Sequence, residues 1–228
     1  VDPSYSTQGA IEGIQLNGID RVVVLFDTSA SMLHQSLVEI IRLRISSDKV
    51  KKQARKWKQG IASLNWGIGA ISENMRYKVL TYSDKTFELN GKLAQTTNIK
   101  WDLKTKEIPD FVAIQNQVNQ LVPGRGTNLA SALDAVTGLI PRPKKILIIT
   151  DGLPSLMPGE ERERLRGCPK RAKRRSNLID GACRLSVAIA SVEPLSRTLA
   201  RVPVDVILFP LDGDRDAVRF YSLVSSIS

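Results

Sequence analysis

Three short segments of the chain are almost wholly apolar: Arg21 to Phe26 (RVVVLF), Lys145 to Thr150 (KILIIT) and Val204 to Phe209 (VDVILF). Each is rich in Val, Ile and Leu, too short for a core helix, and ends at a turn signal or a polar residue. A strand with one wet face alternates apolar and polar positions. Near-continuous apolarity therefore predicts strands covered on both faces, as in a parallel sheet. Arg76 to Tyr82 (RYKVLTY) and Thr86 to Leu89 predict two further strands. Ser83-Asp84-Lys85 between them reads as a tight turn, which makes Thr86 to Leu89 an antiparallel edge.

Helical patterns fall between these runs. Ser46-Ser47-Asp48 reads as an N-cap cluster. It precedes apolar positions at Val50, Ala54, Trp57, Ile61, Leu64, Ile68 and Ile71, the spacing of one face of a long helix. Phe111 to Leu121, Asn128 to Leu139 and Asp216 to Ile227 predict further helices, and Arg184 to Arg201 a helical region broken near Pro194. Strands alternating with helices give an α/β fold: a doubly wound, mostly parallel central sheet with one antiparallel edge strand and helices on both faces. Residues 1–20 read as a lead-in segment and 21–228 as a single domain. Two segments exceed the minimal alternation and read as insertions, near 34–45 and near 154–181.

Composition adds little until the charge is located. At 42% hydrophobic and 25% charged, the 228-residue chain has the make-up of a globular domain. No apolar run approaches the ~20 residues that span a bilayer. The net charge of +10 comes from two segments. Lys49 to Lys58 holds six basic residues; Arg162 to Arg175 holds eight against the single Glu163. The first patch falls largely between the apolar positions of the predicted long helix and reads as its solvated outer face. The second reads as a mobile, solvated loop or a polyanion-binding loop. It lacks the interleaved aromatics that stack single-stranded bases.

The one histidine, His34, makes no zinc pattern with Cys168 and Cys183, and no nucleophile-elbow sequence supports a Ser-His-Asp triad. The chemistry points elsewhere. The first apolar strand runs into Asp27-Thr28-Ser29-Ala30-Ser31, and Lys145 to Thr150 runs into Asp151-Gly152. Ligands of open α/β sheets bind outside the carboxyl ends of the strands, where chain order puts both aspartates. Gly124-Arg125-Gly126-Thr127-Asn128 precedes the helix that leads back to Lys145 to Thr150, so Thr127 comes to the same rim. Two carboxylates and three hydroxyls, with no soft donor, suit a hard cation: Mg²⁺ first, with Mn²⁺ and Ca²⁺ as alternatives.

Asp27-x-Ser29-x-Ser31, then Thr127, then Asp151-Gly152 resembles the metal-ion-dependent adhesion site of von Willebrand factor type A domains, in a bacterial version. The resemblance covers Arg21 to about Ile227. It implies a Rossmann-like fold and metal ligation by Asp27, Ser29, Ser31, Thr127 and Asp151, directly or through water. It also implies a non-enzymatic adhesion or assembly module whose cation takes an acidic residue from a protein partner. Against the short family pattern, the extra stretch at 34–45 follows Ser31 and the basic loop follows Asp151, so both border the expected site.

Three functions compete. A metal-dependent protein-binding module, exported to the periplasm or cell surface, accounts for the five residues. Polyanion or nucleic-acid binding through loop 162–175 accounts for the charge, with a steep salt dependence as its signature. A metal-dependent hydrolase fits least, because the haloacid-dehalogenase-like pattern needs an aspartate where Ser29 stands. In an exported protein Cys168 and Cys183 would pair, closing about fifteen residues, a link worth up to ~3 kcal/mol. In a reducing compartment they would be free thiols. The disulfide is the favoured reading, since it pins a highly charged loop.

Overall fold

The structure is a computed structural model and describes residues 13–94, 99–105, 108–155, 165, 168 and 181–227. Its strands are β1 (Arg21–Asp27), β2 (Arg76–Tyr82), β3 (Thr86–Glu88), β4 (Asp102–Leu103), β5 (Lys145–Thr150) and β6 (Val204–Leu208). The sheet runs β3-β2-β1-β5-β6. The pairings of β1 with β2, β1 with β5 and β5 with β6 are parallel. The expected antiparallel edge is present and is shared by two short strands. β3 pairs Leu80 to Tyr82, and β4, which the sequence reading did not anticipate, pairs Arg76 and Tyr77.

Alternation along the central strands sends side chains into two separate cores. Val23 and Leu25 of β1 and Ile146 and Ile148 of β5 face one cluster. Val22, Val24 and Phe26, with Leu147 and Ile149, face the other. Both faces are thus covered, which is why these strands read as unbroken apolar runs. The helices are α1 (Leu37–Arg44), α2 (Asp48–Gln53), α3 (Arg55–Ala70), α4 (Ile108–Gln120), α5 (Leu129–Thr137), α6 (Gly181–Ser191), α7 (Glu193–Ser196) and α8 (Arg215–Ile227). A 3₁₀ turn, Ala30–Leu33, follows β1. Residues of α5, α6, α7 and α8 pack into the first core. Met32, Leu33 and residues of α3 pack into the second.

The single long helix expected after Ser46 is two helices. Ala54 adopts φ −58°, ψ 133°, an extended conformation that ends α2 and restarts the chain as α3. α2 has no buried residue, and Val50, expected on the apolar face, is exposed. α3 packs tightly because Gly60 lacks a side chain: a Cβ there would meet Met32 Cε at 2.6 Å and Phe26 at 3.3 Å. The turn of helix before Gly60 is thereby pressed against the carboxyl end of β1.

The extra segment 34–45 folds as α1. Of the segment 154–181, the basic run 162–175 lies outside the described residues apart from Leu165 and Cys168. Cys168 and Cys183 form a disulfide, as favoured from the sequence. Among the described residues no helix is long and apolar enough to cross a membrane.

Candidate functional site

Parallel register brings the ends of β1 and β5 to one level. Phe26 lies opposite Ile149, so Asp27 stands beside Thr150 and one residue short of Asp151. Asp27 is fully buried. Its Oδ1 accepts the Ser29 backbone N–H at 2.8 Å, and its Oδ2 accepts the Thr150 hydroxyl at 2.8 Å. The first of these bonds, from an aspartate to the amide two residues on, turns the chain out of β1.

That turn delivers two serines. The Ser31 hydroxyl donates to Asp151 Oδ1 at 2.8 Å, and the Ser29 and Ser31 hydroxyl oxygens are 2.8 Å apart. A hydroxyl carries one proton. The Ser31 proton is committed to Asp151, so Ser29 donates to Ser31. The result is a directed chain, Ser29 to Ser31 to Asp151, in which both serine oxygens keep a free lone pair.

Thr127 is set by a loop laced to the same turn. Gly124 N–H donates to the Thr28 carbonyl at 2.8 Å, and Ala30 N–H donates to the Arg125 carbonyl at 3.1 Å. Arg125 itself takes a left-handed conformation, φ 66°, with its guanidinium 3.2 Å from the Asp84 carboxylate. The Asn128 side chain accepts the Ser131 N–H and caps α5. Thr127 is also tied to the segment after β5, donating its N–H to Ser155 Oγ at 3.2 Å and accepting the Ser155 N–H at 2.9 Å. Asp27, Ser29, Ser31 and Asp151 thus form one hydrogen-bonded group. Thr127 joins Ser31 and Gly152 in lining an open cavity of about 740 Å³ above it. α8 braces the floor, where the Tyr221 hydroxyl donates to the Gly152 carbonyl at 3.1 Å.

A sixth residue belongs to the group, and the sequence reading placed it elsewhere. The basic run puts Lys56 with its neighbours on a solvated helix face. In the structure it is 3% exposed and its ammonium lies 2.7 Å from Asp151 Oδ2. Lys56, Gly60, Leu64 and Gly67 recur along the buried stripe of α3. The restart of α3 at Arg55 and the close approach at Gly60 turn Lys56 inward. Arg55 and Lys58 are exposed, as the sequence reading has them.

The electrostatics follow from burial. Loss of water raises the Asp27 carboxyl to about 7, and the negative charge of Asp151 adds to the rise. Burial also raises Asp151, an effect offset by the Lys56 ammonium and by the hydrogen bonds from Lys56 and Ser31. Two buried carboxylates therefore face one buried ammonium. Among the described residues no group of three or more His, Cys, Asp and Glu side chains could hold a metal. A metal centre here must draw on hydroxyls. The donor set meets that need: two carboxylates short of positive charge, two serine oxygens with free lone pairs, and Thr127 at the cavity, all hard oxygens of the kind Mg²⁺ takes.

No protein-family model matches the chain, and no curated protein does. Among solved structures it is similar to the PilB minor pilin from Streptococcus sanguinis, with 16% identity over 90% of this chain and 54% of that one and a TM-score of 0.50. It is also similar to a von Willebrand factor type A protein from Catenulispora acidiphila, with 14% identity over 91% and 41% of the two chains and a TM-score of 0.42. The von Willebrand factor domain of the type V pili tip protein Mfa5 from Porphyromonas gingivalis gives 18% identity, coverage of 59% and 38%, and a TM-score of 0.32. The chain thus spans only about half of the first of these and less of the others. The likeness to the pilin and the mostly parallel sheet with its antiparallel edge identify the architecture: the chain has a Rossmann-like α/β fold.

Proposed function

We propose that the chain is a protein-binding module of adhesion or assembly, in which Asp27, Ser29, Ser31, Thr127 and Asp151 hold a divalent cation, Mg²⁺ in the first place. The observation that carries this reading is the hydrogen-bonded group of two buried carboxylates and two serines beneath a cavity lined by Ser31 and Thr127. When bound, the cation supplies a Lewis-acidic position that a partner's acidic side chain can fill, a grip that breaks no bond. Asp27 and Asp151 supply the negative charge and the hydroxyls leave it unquenched. The neighbours named for pili and their tips, together with the disulfide, support an exported or surface-exposed setting.

The surface around the cavity favours a protein over a polyanion. Leu37 and Val38 of α1 line the same cavity as Ser31 and Thr127, and they are 57% and 72% exposed. Ile41 and Ile45, at 63% and 89%, continue that apolar face. A partner offering a carboxylate flanked by aliphatic side chains would satisfy both features at once, whereas phosphate polymers would leave the aliphatic wall wet.

Calorimetric titration with Mn²⁺ or Mg²⁺ tests the metal, with one site per chain as the expected outcome. At a hundredfold excess over Kd, a bound ion adds about 2.7 kcal/mol of stability. Stability adds roughly 2–4 °C to the Tm of a domain this size for each kcal/mol. No thermal shift and no heat would remove the reading. Peptide arrays in which Asp or Glu flanked by Leu or Ile is compared with the Asn or Gln version test the partner. Retention should need both the acid and the ion and should vanish in EDTA.

A further inference from the structure

We infer that Lys56 is a built-in counter-ion of the candidate metal site, one that keeps the site assembled without an ion and lowers its affinity for a cation. The inference rests on the metal reading above and concerns a residue that reading does not use.

The ammonium is caged. Its three protons have three acceptors: Asp151 Oδ2 at 2.7 Å, the Ser31 carbonyl at 3.1 Å and the His34 carbonyl at 3.4 Å. Ser31 and Asp151 are themselves candidate ligands, so one side chain fixes two of the five, one by its carboxylate and one by its backbone. The backbone of His34 lies on the path from the 3₁₀ turn to α1, so the same contacts position the helix that walls the cavity. Lys56 binds the oxygen of Asp151 opposite to the one held by Ser31. The serine-facing oxygen stays directed into the site.

This arrangement has two consequences. Without a metal, an aspartate with 0% exposure would sit beside the equally buried Asp27 with no cation in contact; Lys56 removes that penalty and the empty site stays folded. With a metal, the ammonium and the divalent ion share Asp151 and repel each other in a poorly screened interior. Lys56 therefore weakens cation binding while leaving the loaded site more positive, which favours an anionic partner.

The test is Mn²⁺ binding by calorimetry to the wild-type chain, Lys56→Met and Lys58→Met. Lys58 is on the same helix and exposed, so its replacement removes the same unit of charge from the surface. Lys56→Met should bind Mn²⁺ at least about tenfold more tightly than wild type, and its Tm should gain more from Mg²⁺. Lys58→Met should match the wild type. Binding by Lys56→Met alone, with none by the wild type, would also support the inference. Equal or weaker binding by Lys56→Met overturns it and leaves the metal reading standing. Failure of both proteins to bind Mn²⁺ at millimolar concentration overturns the two together. If Lys56→Met is unfolded with and without Mg²⁺, Lys56 is a structural ion-pair partner only and the inference is lost; folding only in Mg²⁺ supports it.

Discussion

Among the described residues two lysines are buried, each close to a pair of carboxylates, and they end in opposite situations. Lys78 of β2 sits at the antiparallel edge, 2.5 Å from Glu88 of β3 and 3.2 Å from Asp102 of β4. Both acids touch the ammonium, and the Asp102 side chain is half exposed, so the surplus negative charge is shared with water. The cavity beside it, about 450 Å³, is lined by this clamp and Trp101. Lys56 touches only Asp151, while Asp27 is fully buried and is held by a backbone amide and a hydroxyl. Arg184, ion-paired with Asp214, adds a more distant positive charge at Asp151, but the carboxylates at the rim of β1 and β5 lie out of reach of solvent. A closed ion cluster holds strands together. On the proposed reading, the buried cluster is where a further cation binds.

The contrast can be broken at either end. The largest effect is expected at Lys78. Lys78→Met leaves Glu88 and Asp102 without their cation and should cost about 3–5 kcal/mol in denaturant unfolding, with no recovery in Mg²⁺. Recovery there would mean that the two clusters are alike. Next comes Asp27→Ala, which should weaken Mn²⁺ binding about a hundredfold, or ~2.7 kcal/mol, in the calorimeter. Thr127→Ala, which removes a hydroxyl but no charge, should lose about tenfold. Equal losses would show that charge does not rank the ligands. The smallest effect is a trend with pH. Because Asp27 is raised from 3.8 to about 7, the metal-free folded state holds a proton that the unfolded chain releases. Stability without metal should therefore fall as pH rises from about 4 to 7. Saturating Mg²⁺ should flatten this trend, and thermal melts across that window would show it.

The three central strands were legible because both their faces are covered, which erases the polar alternation that otherwise blurs a strand. That Asp27, Ser29, Ser31 and Asp151 meet at one rim was legible because they end or follow such strands, and Thr127 because the helix after it leads back to β5. β4 was not: two exposed residues, Asp102 and Leu103, carry no pattern of their own and are strand only because β2 offers an open edge. Lys56 was missed for a different reason. Its charge placed it with its basic neighbours, and the stripe Trp57, Ile61, Leu64, Ile68 ran beside it. The available signal was Gly60, a glycine in mid-helix one turn away, which marks where a helix comes too close to its neighbour for a side chain. The break at Ala54 had no such marker, since alanine is at home in any helix.

The pairing of Phe26 with Ile149 makes strand length a functional quantity. A single residue inserted into or deleted from β1 or β5 would point one of the two aspartates toward the opposite layer of helices, while the sheet itself could still form. The two strands are therefore locked to each other like the halves of a vernier, free to change in composition along their length but not in count.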